Sequence, residues 1–270
     1  MTFLSIRWYY EIMIEILSNI KFIFFIMFFI ILFIFESYYS DRPWISKRFF
    51  RLLFHMKIAI INTIIIRVPT IFIIIPTLML ITENQYGVLN NINIGFLGKA
   101  ILGILLLDLA FYWWHRLNHT NSTLWRFHSV HHLDTHLDVT TSLRFHFGEL
   151  ILSSVYKTIL ILIIGMPISV FIFYEILLTA CNQFHHSNIK LSDSTNKIIK
   201  KFIVTPEYHA NHHTQIKLSR NANYSSIFTI WDTIFFTYRE ATKKDREYLG
   251  LDDRTKEFGL IQNIKHPFIS

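Results

Sequence analysis

The residues of this sequence whose type and spacing suggest a chemical role are histidines, which occur in three clusters. His115 and His119 lie four positions apart, which on an α-helix places both imidazoles on one face, within reach of one ion. Two further clusters have spacings of three and four positions: His128, His131 and His132, then His209, His212 and His213. A single histidine is usually an ordinary surface or core residue, whereas three clusters at ligand spacing predict a binding site.

Metal binding is the chemistry that these clusters favour. Imidazole is the usual protein ligand of zinc, iron, copper and nickel, so we expect a transition metal rather than calcium or magnesium. Cys181 is the only cysteine, which excludes disulfides and a cysteine zinc cluster within one chain and leaves nitrogen and oxygen as ligands. The clusters hold eight imidazoles, more than the roughly four ligands of a structural zinc site, so the count favours two metal ions.

The composition is typical of a membrane protein. Hydrophobic residues make up 52% of the 270 residues and aromatic residues 16%, and the mean hydropathy is +0.36. The formal net charge is +7. The basic residues lie beside apolar segments and form no nucleic-acid motif, so we expect anionic lipid headgroups and no nucleic acid as partner.

Three apolar segments are predicted to span the membrane: 20–35 with flanking residues, 58–81 and 94–114. The third segment places His115 at its end. The first lacks a small-residue cleavage site, so we expect a retained anchor rather than a signal peptide. Pro69 and Pro76 are expected to kink the second segment.

A fourth apolar segment, 151–181, decides whether the clusters can meet. A single crossing here would place His209 on the membrane side opposite His115. Gly165-Met166-Pro167 in its middle favours a re-entrant hairpin of two arms of about 14 residues, each roughly 20 Å long and too short to cross. The hairpin brings all three clusters to one face, and a full span is the alternative.

The number of predicted spans also indicates on which side of the membrane the histidines lie. The segment Glu36–Lys57 carries five cations among aromatic residues, which predicts a basic interfacial loop on the side of the histidines. The positive-inside rule then places the histidines in the cytoplasm. The expected fold is therefore all-α, with about three membrane spans, a re-entrant hairpin and a cytosolic helical domain that holds the histidines.

Asp108 lies two turns before His115 on roughly the same helix face. An acid in such apolar surroundings is expected to accept a hydrogen bond that orients a ligand histidine. The alternative is an ordinary helix-end or interface aspartate.

The order of these residues resembles the fatty acid hydroxylase/sterol desaturase superfamily of integral membrane di-iron oxidoreductases. The resemblance covers roughly residues 95–238. It rests on Asp108 with His115-Arg116-x-x-His119, Leu124-Trp125-x-Phe-His128-x-x-His131-His132, Thr141-Ser-x-Arg144-x-His146-x-x-Glu149, His186-Ser-Asn188, Thr205-Pro206-x-x-His209-x-x-His212-His213 and Asn223-Tyr224 with Trp231-Asp232. The family commonly has proline after the histidine equivalent to His146, where this chain has Phe147-Gly148.

The resemblance implies two iron ions and a set of ligands. The implied ligands are His115, His119, His128, His131, His132, His186, His209, His212 and His213. Asp108, Glu149 and Asp232 are expected to balance charge around the metals, and His146, His185 and Asn188 to lie next to the ligands. Whether His146 and His185 bind metal is left open. The resemblance also divides the chain into a membrane region with two spans (1–94), a catalytic domain (95–240) and a charged tail (241–270), and we expect this tail to be solvated.

The implied activity is O2-dependent oxidation of a lipid, as hydroxylation or desaturation. An unactivated C–H bond of a sterol, fatty acyl chain or ether lipid offers neither an acidic proton nor an electrophilic carbon, so it must be oxidised. The chain has no His-Pro-Gly-Gly haem-binding stretch. We therefore expect electrons from a separate carrier, such as a cytochrome b5-like protein, a ferredoxin or a reductase.

Two other classes of protein are alternatives. A membrane zinc-dependent hydrolase commonly has His-Glu-x-x-His, which this sequence lacks. A non-enzymatic metal-binding or transport protein would favour polar residues in the middle of several spans, whereas these histidines cluster at the membrane edge.

Overall fold

The computed structural model describes residues 3–44, 47–251 and 259–269, and that part of the chain is helical, without a strand. The longer helices are α1 (Phe3–Tyr38), α2 (Arg48–Pro69), α3 (Ile75–Asn84), α4 (Phe96–Thr120), α5 (Ser122–His132), α6 (Phe147–Ile164) and α7 (Ile168–His186). Five short helices follow: α8 (Asp193–Ile199), α9 (Pro206–His212), α10 (Lys217–Arg220), α11 (Ile230–Ile234) and α12 (Leu260–Ile269). The predicted all-α fold is confirmed.

Four helical segments are long and apolar enough to cross a membrane: Ser18–Tyr38, Arg48–Asn90, Phe96–Thr120 and Phe147–Ile164. The first two predicted spans lie inside the first two of these segments, and the third, 94–114, overlaps the third segment except for its first two residues. The side chains of the first segment are largely exposed, as Phe22 (65%) and Ile23 (62%) show, because lipid rather than protein is their expected surrounding.

The second span contains a local change of helix type at its prolines. Pro69 ends α2, the residues Thr70–Ile74 form a π-helical turn, and Pro76 lies in the first turn of α3. Proline has no N–H and its ring crowds the carbonyl four residues earlier, so a wider turn relieves the clash. The predicted disturbance therefore takes the form of a π turn within a helix that continues.

The predicted hairpin is present, but the expectation that its arms are too short to cross a membrane is wrong for α6, which is one of the four candidate spans. α6 has 18 residues and α7 has 19, because the helical pattern starts at Phe147 and continues to His186. Gly165, with φ +73°, makes the turn between them. The amide of Asn90 donates to the Gly165 carbonyl at 3.2 Å, so the tip of the hairpin reaches the loop between α3 and α4. Both arms thus run the length of the bundle. The start of α6, next to His146, and the end of α7, at His186, therefore lie at the same end of the bundle.

Most of the cations of the predicted basic loop face the protein instead of lipid. Arg42 and Arg51 are buried, and Arg48 donates to the carboxylate of Glu36 at 2.6 Å. The prediction of an interfacial loop is wrong for these three arginines. Arg42 donates to the Leu137 carbonyl at 3.0 Å, and helix α2, which begins at Arg48, directs Arg48 and Arg51 towards buried carboxylates. The sidedness of the histidines remains a prediction.

The carboxy-terminal helix packs on the protein. In α12 the side chains of Asn263 and His266 are buried, and Nε2 of His266 lies 2.9 Å from the Ser129 hydroxyl of α5. The expectation of a solvated tail is therefore wrong for α12, whereas residues 252–258 lie outside the described part of the chain.

The interior of the bundle is an apolar core shared by α3, α4, α6 and α7. Its most deeply buried members are Ile81, Leu89, Leu107, Ile161, Met166 and Tyr174. Because α4 and the hairpin pack on the same core, the last turn of α4, the first turn of α6 and the last turn of α7 are held at one end.

The close approach at the hairpin tip generates a prediction about stability. A Cβ on Gly165 would lie 2.4 Å from the Tyr86 carbonyl oxygen, and its φ is one that L side chains rarely adopt. We expect Gly165→Ala to destabilise the protein by roughly 1–3 kcal/mol, seen as a lower melting temperature in detergent.

Gly95→Ala is the matched control, because a Cβ at Gly95 meets nothing within 4 Å. Equal melting temperatures for the two variants would contradict the tight packing of the hairpin tip.

Candidate metal centre

Nine histidines converge in two groups at one end of the bundle. The first group holds His115, His119, His128, His132 and His212, and the second holds His131, His186, His209 and His213. Within each group one nitrogen of every ring lies within 4.8 Å of the others. These are the nine histidines that the sequence pointed to, so the expected convergence is confirmed, while metal binding by them remains a prediction.

The periodicity of the helix divides each three-histidine cluster between the two groups. His128 and His132 are four residues apart and share a face of α5, whereas His131 lies about 100° round the helix from His132 and joins the other group. In the same way His209 and His213 belong to the second group and His212 to the first. Each cluster therefore gives two histidines to one group and one to the other, which ties the two groups together.

Backbone carbonyls fix the orientation of four of the rings. The Nδ1 atoms donate to carbonyl oxygens in four pairs: His115 to Tyr224 at 2.8 Å, His212 to Ala222 at 2.7 Å, His131 to Arg144 at 3.1 Å and His186 to Asn182 at 2.7 Å. A carbonyl oxygen only accepts, so the proton of each neutral ring is on Nδ1. The lone pairs on Nε2 then face the interior of the groups, which is the arrangement that metal-binding histidines need.

The inward nitrogens of the second group lie too close together for a site without a cation. Nε2 of His186 is 2.9 Å from Nε2 of His131 and 3.0 Å from Nε2 of His209. With the protons of His131 and His186 on their outer nitrogens, the Nε2 atoms of these two rings present lone pairs to each other and repel. A cation between them removes the repulsion, so the donor set of this group fits a metal ion.

The first group contains buried ring nitrogens that have no hydrogen-bond partner. Four buried Nε2 atoms have no hydrogen-bond partner: those of His119, His128, His132 and His212. A buried polar atom without a partner costs about 1–3 kcal/mol, so four of them together favour a ligand. This group too fits a metal ion.

Burial favours the neutral form of five of these imidazoles. Removal from water, followed by the neighbouring histidines, holds the pKa of His131 and His213 well below the usual value. The pKa values of His132, His209 and His212 are also lowered, chiefly by removal from water. Neutral rings are the form that coordinates a metal.

Glu149 lies where the sequence placed it, beside a candidate ligand. Its Oε1 accepts from Nδ1 of His128 at 2.9 Å, and it lies in the first turn of α6. A carboxylate behind a ligand histidine orients the ring and raises its basicity. Glu149 also adds a carboxylate beside a group whose members are all imidazoles.

Asp232 acts on the site through the backbone. Its carboxylate accepts from the backbone N–H of Tyr224 at 2.8 Å and of Ser225 at 2.9 Å, and from the Tyr208 hydroxyl at 2.8 Å. The carbonyl of the same Tyr224 accepts from His115. Asp232 therefore holds the turn against which His115 is oriented.

Asp108 has a different partner from the predicted one. Its Oδ2 accepts from the indole N–H of Trp231 at 2.7 Å and from the Phe228 N–H at 3.1 Å, and no described contact joins it to a histidine. Two helical turns separate Asp108 from His115 by about 10 Å along α4, too far for a hydrogen bond between their side chains. The prediction that Asp108 orients a ligand histidine is wrong, because its carboxylate anchors α11 and the residues before it to α4.

The remaining three predicted neighbours of the ligands have separate roles. His146 caps α6, since its Nδ1 accepts from Gly148 N–H at 3.0 Å while its Nε2 donates to the Ile264 carbonyl at 3.1 Å. The side chain of Asn188 pairs with the backbone of Arg42 at 3.0 Å and 2.9 Å. His185 belongs to neither group, although its ring packs on that of His209 with centroids 4.1 Å apart.

An apolar cavity of about 420 Å³ opens beside both groups. One wall carries histidines of the two groups, and the rest is largely apolar, with contributions from α1, α2, α4, α6 and α7: among others Phe25, Ala59, Phe111, Trp114, Leu150 and Leu178. A cavity of this size and lining suits part of an apolar ligand.

Comparison with known proteins places the chain in a family. The profile of the fatty acid hydroxylase family matches residues 100–237, which include every histidine of the two groups. The chain belongs to the fatty acid hydroxylase family.

Curated relatives of this fatty acid hydroxylase family chain act on lipids by name. An ornithine lipid hydroxylase of Rhizobium tropici is 26% identical over 170 residues, which are 63% of this chain and 50% of the relative. An alkylglycerol monooxygenase of Danio rerio is 30% identical over 172 residues (62% and 36%), and a cholesterol 25-hydroxylase of Mus musculus is 26% identical over 148 residues (54% and 48%). The chain thus spans half or less of the length of these relatives. No solved structure matches the chain.

A buried ion network supports the second group, and sequence reasoning missed it. Arg51 of α2 donates to both carboxylate oxygens of Asp134 at 3.0 Å and to Asp138 at 2.7 Å. Burial alone would raise the pKa of Asp134, but Arg51 and Arg144 hold it well below its usual value. The carbonyl of Arg144 accepts from His131, so the network fixes a candidate ligand. The available signal was an arginine within an apolar helix and two acids directly after a histidine cluster.

The division into two groups predicts the effect of removing one histidine from each. We expect His131→Ala and His212→Ala each to weaken metal binding at least about tenfold, because each removes an inward Nε2 and leaves its neighbours without a shared cation. Elemental analysis of the detergent-purified proteins measures the loss.

His146→Ala is the control, because His146 is buried and close to the site but belongs to neither group. Full metal content in His131→Ala or in His212→Ala would show that the assigned ligands are wrong.

Proposed function

We propose that this fatty acid hydroxylase family chain is a membrane-bound oxidoreductase that hydroxylates an unactivated C–H position of a lipid with O2. The observation that carries the proposal is the opening of two groups of inward-facing imidazoles into one apolar cavity. The names of the relatives support a lipid as substrate: an ornithine lipid, an alkylglycerol and cholesterol. Desaturation, which differs in the fate of the substrate radical, is the finer alternative.

The nine histidines are the proposed ligands of two iron ions. Bound iron supplies the O2-activating chemistry that an inert C–H bond requires, and the neutral imidazoles leave its positive charge for Glu149 to balance. The carbonyls behind His115, His131, His186 and His212 keep the lone pairs directed inwards, as the Nδ1 contacts indicate. The apolar walls hold the hydrocarbon and exclude water from it.

The chain is proposed to work as one catalytic region with a membrane region around it. Every candidate ligand lies within residues 95–240, which we assign as the catalytic domain. Residues 1–94 supply walls of the cavity, through Phe25 and Ala59, and the Arg51 ion network. Residues 241–270 contribute the packing of α12 on α5.

The hydroxylation itself can be tested with isotopically labelled O2. One oxygen atom enters the lipid as a hydroxyl and the other leaves as water, with two electrons from a carrier and two protons from solvent. We expect lipid extracts of cells expressing the chain to contain a new hydroxylated lipid with one labelled oxygen, and cells expressing His212→Ala to lack it. Mass spectrometry measures the label; a product whose new oxygen comes from water would indicate a hydrolase instead.

We also propose that the histidine end faces the cytoplasm and receives electrons from a separate acidic carrier. Exposed lysines are frequent at this end, namely Lys190, Lys197, Lys201, Lys243 and Lys244. Their charge suits an acidic carrier such as a cytochrome b5-like protein or a ferredoxin. Higher salt should then slow carrier-dependent turnover by screening the attraction, and turnover independent of salt would contradict the charged interface.

Thiol labelling tests the sidedness. In a Cys181→Ala background we expect Lys243→Cys to react with a membrane-impermeant maleimide only after the cells are opened. Asn93→Cys, in the exposed loop at the opposite end, should react in intact cells. The reverse pattern would place the histidines outside.

A further inference from the structure

Three charged side chains meet inside the apolar part of the bundle. The ammonium of Lys157 in α6 lies 2.7 Å from Oε1 of Glu175 in α7, and the ammonium of Lys21 in α1 lies 2.7 Å from Oε2 of the same carboxylate. Charges within membrane helices are costly, and those that persist usually face a partner or a functional cavity. The proposed hydroxylation mechanism uses none of the three.

The triad carries an excess positive charge. Two ammonium groups share one carboxylate, and the side chains of Lys157 and Glu175 are only 15% and 13% exposed. An ammonium has three donor hydrogens, and the described hydrogen bonds of Lys157 use one of them, to Glu175. Its ammonium also lies 5.4 Å from the centroid of the Phe111 ring, a weaker compensation than an anion.

Lys157 faces the same cavity as the histidines. It lines the cavity of about 420 Å³ together with His128 and Glu149. Glu149 and Lys157 are separated by eight positions on α6, about 12 Å along the helix, a reach of roughly ten carbons of an extended acyl chain. Between the two ends the wall is mostly apolar, with Phe111 and Leu150 among its members and Ser153 as a polar residue of α6. The cavity therefore has a metal-binding end and a cationic end joined by a hydrocarbon-like path.

A second, apolar chamber of about 250 Å³ lies between α1 and α7 and adjoins this cavity. The two share Phe25 and Thr179, and Lys21 lines the chamber with 37% of its side chain exposed. An anion coming from the lipid side between α1 and α7 would pass Lys21 before it reaches Lys157. The two lysines thus mark the path as well as its end.

We propose that Lys157, held in place by Glu175, binds the carboxylate of an acyl-chain lipid and so selects substrates that carry a free carboxylate roughly ten carbons from the position facing the histidines. One carboxylate neutralises the one excess charge of the triad, whereas a phosphate headgroup would bring a larger and more strongly hydrated group into apolar surroundings. The selection of a reactive position rests on the proposed function; the binding of the carboxylate does not.

The test compares palmitate with methyl palmitate as ligands of the purified protein in detergent, using radiolabelled probes at equilibrium. The two probes differ only at the carboxyl end, which is a charged carboxylate in palmitate and a neutral, weaker hydrogen-bond acceptor in the ester. We expect the unmodified protein to bind palmitate roughly tenfold more tightly than the ester, and Lys157→Met to bind both equally while keeping its affinity for the ester. Lys99→Met, on α4 and not among the lining residues, is the control and should keep the preference.

Lys157→Arg guards against a variant that fails to fold, because it retains the cation. If Lys157→Met binds neither probe, a preference for palmitate in Lys157→Arg supports the proposal, and loss of the preference in Lys157→Arg overturns it. Equal affinity of the unmodified protein for the two probes, or an unchanged preference in Lys157→Met, also overturns it. Because binding requires neither iron nor turnover, failure of the hydroxylase proposal would be visible separately, as missing iron or missing labelled product.

Discussion

The constraint on which the structure depends is the crowding of imidazole lone pairs in a buried space. In the second group Nε2 of His186 lies 2.9 Å from that of His131, and the protons of both rings are committed to carbonyls on the outer side. Neutral rings so arranged repel one another unless a cation lies among them. The carbonyl contacts and the depth of burial favour the same state, in which the rings are neutral and oriented, and the carboxylate of Glu149 fixes the orientation of the His128 ring.

The fold produces this crowding by bringing distant segments to one end of the bundle. The α6–α7 hairpin returns the chain to the side on which it entered, so that His186 meets the histidines of α5 and α9. Asp232 holds the turn behind His115, and Asp108 anchors the neighbouring segment to α4. Arg51 reaches from α2 to the acids that follow α5, which makes the amino-terminal membrane region part of the support of the site.

Local spacing determined which features could be predicted from the sequence. Helical periodicity placed histidines on common faces, and Gly165-Met166-Pro167 indicated the hairpin, because both depend on neighbouring residues alone. The partner of Asp108, the burial of Arg51 and the pairing of each face of α5 with a face of α9 depend on how helices pack. A single sequence does not encode those pairings in a readable pattern, so an arginine beside aromatic residues resembled an interfacial cation. The same holds for Lys157 and Glu175, whose pairing joins two arms of a hairpin.

The measurement that tests the central claim most directly is the metal content of the detergent-purified protein, determined by elemental analysis together with Mössbauer spectroscopy of protein from cells grown on Mössbauer-active iron. Two groups of ligands predict two iron ions per chain, antiferromagnetically coupled when oxidised. One zinc ion and no iron, from cells supplied with iron, would contradict the account and favour a hydrolytic or structural zinc site.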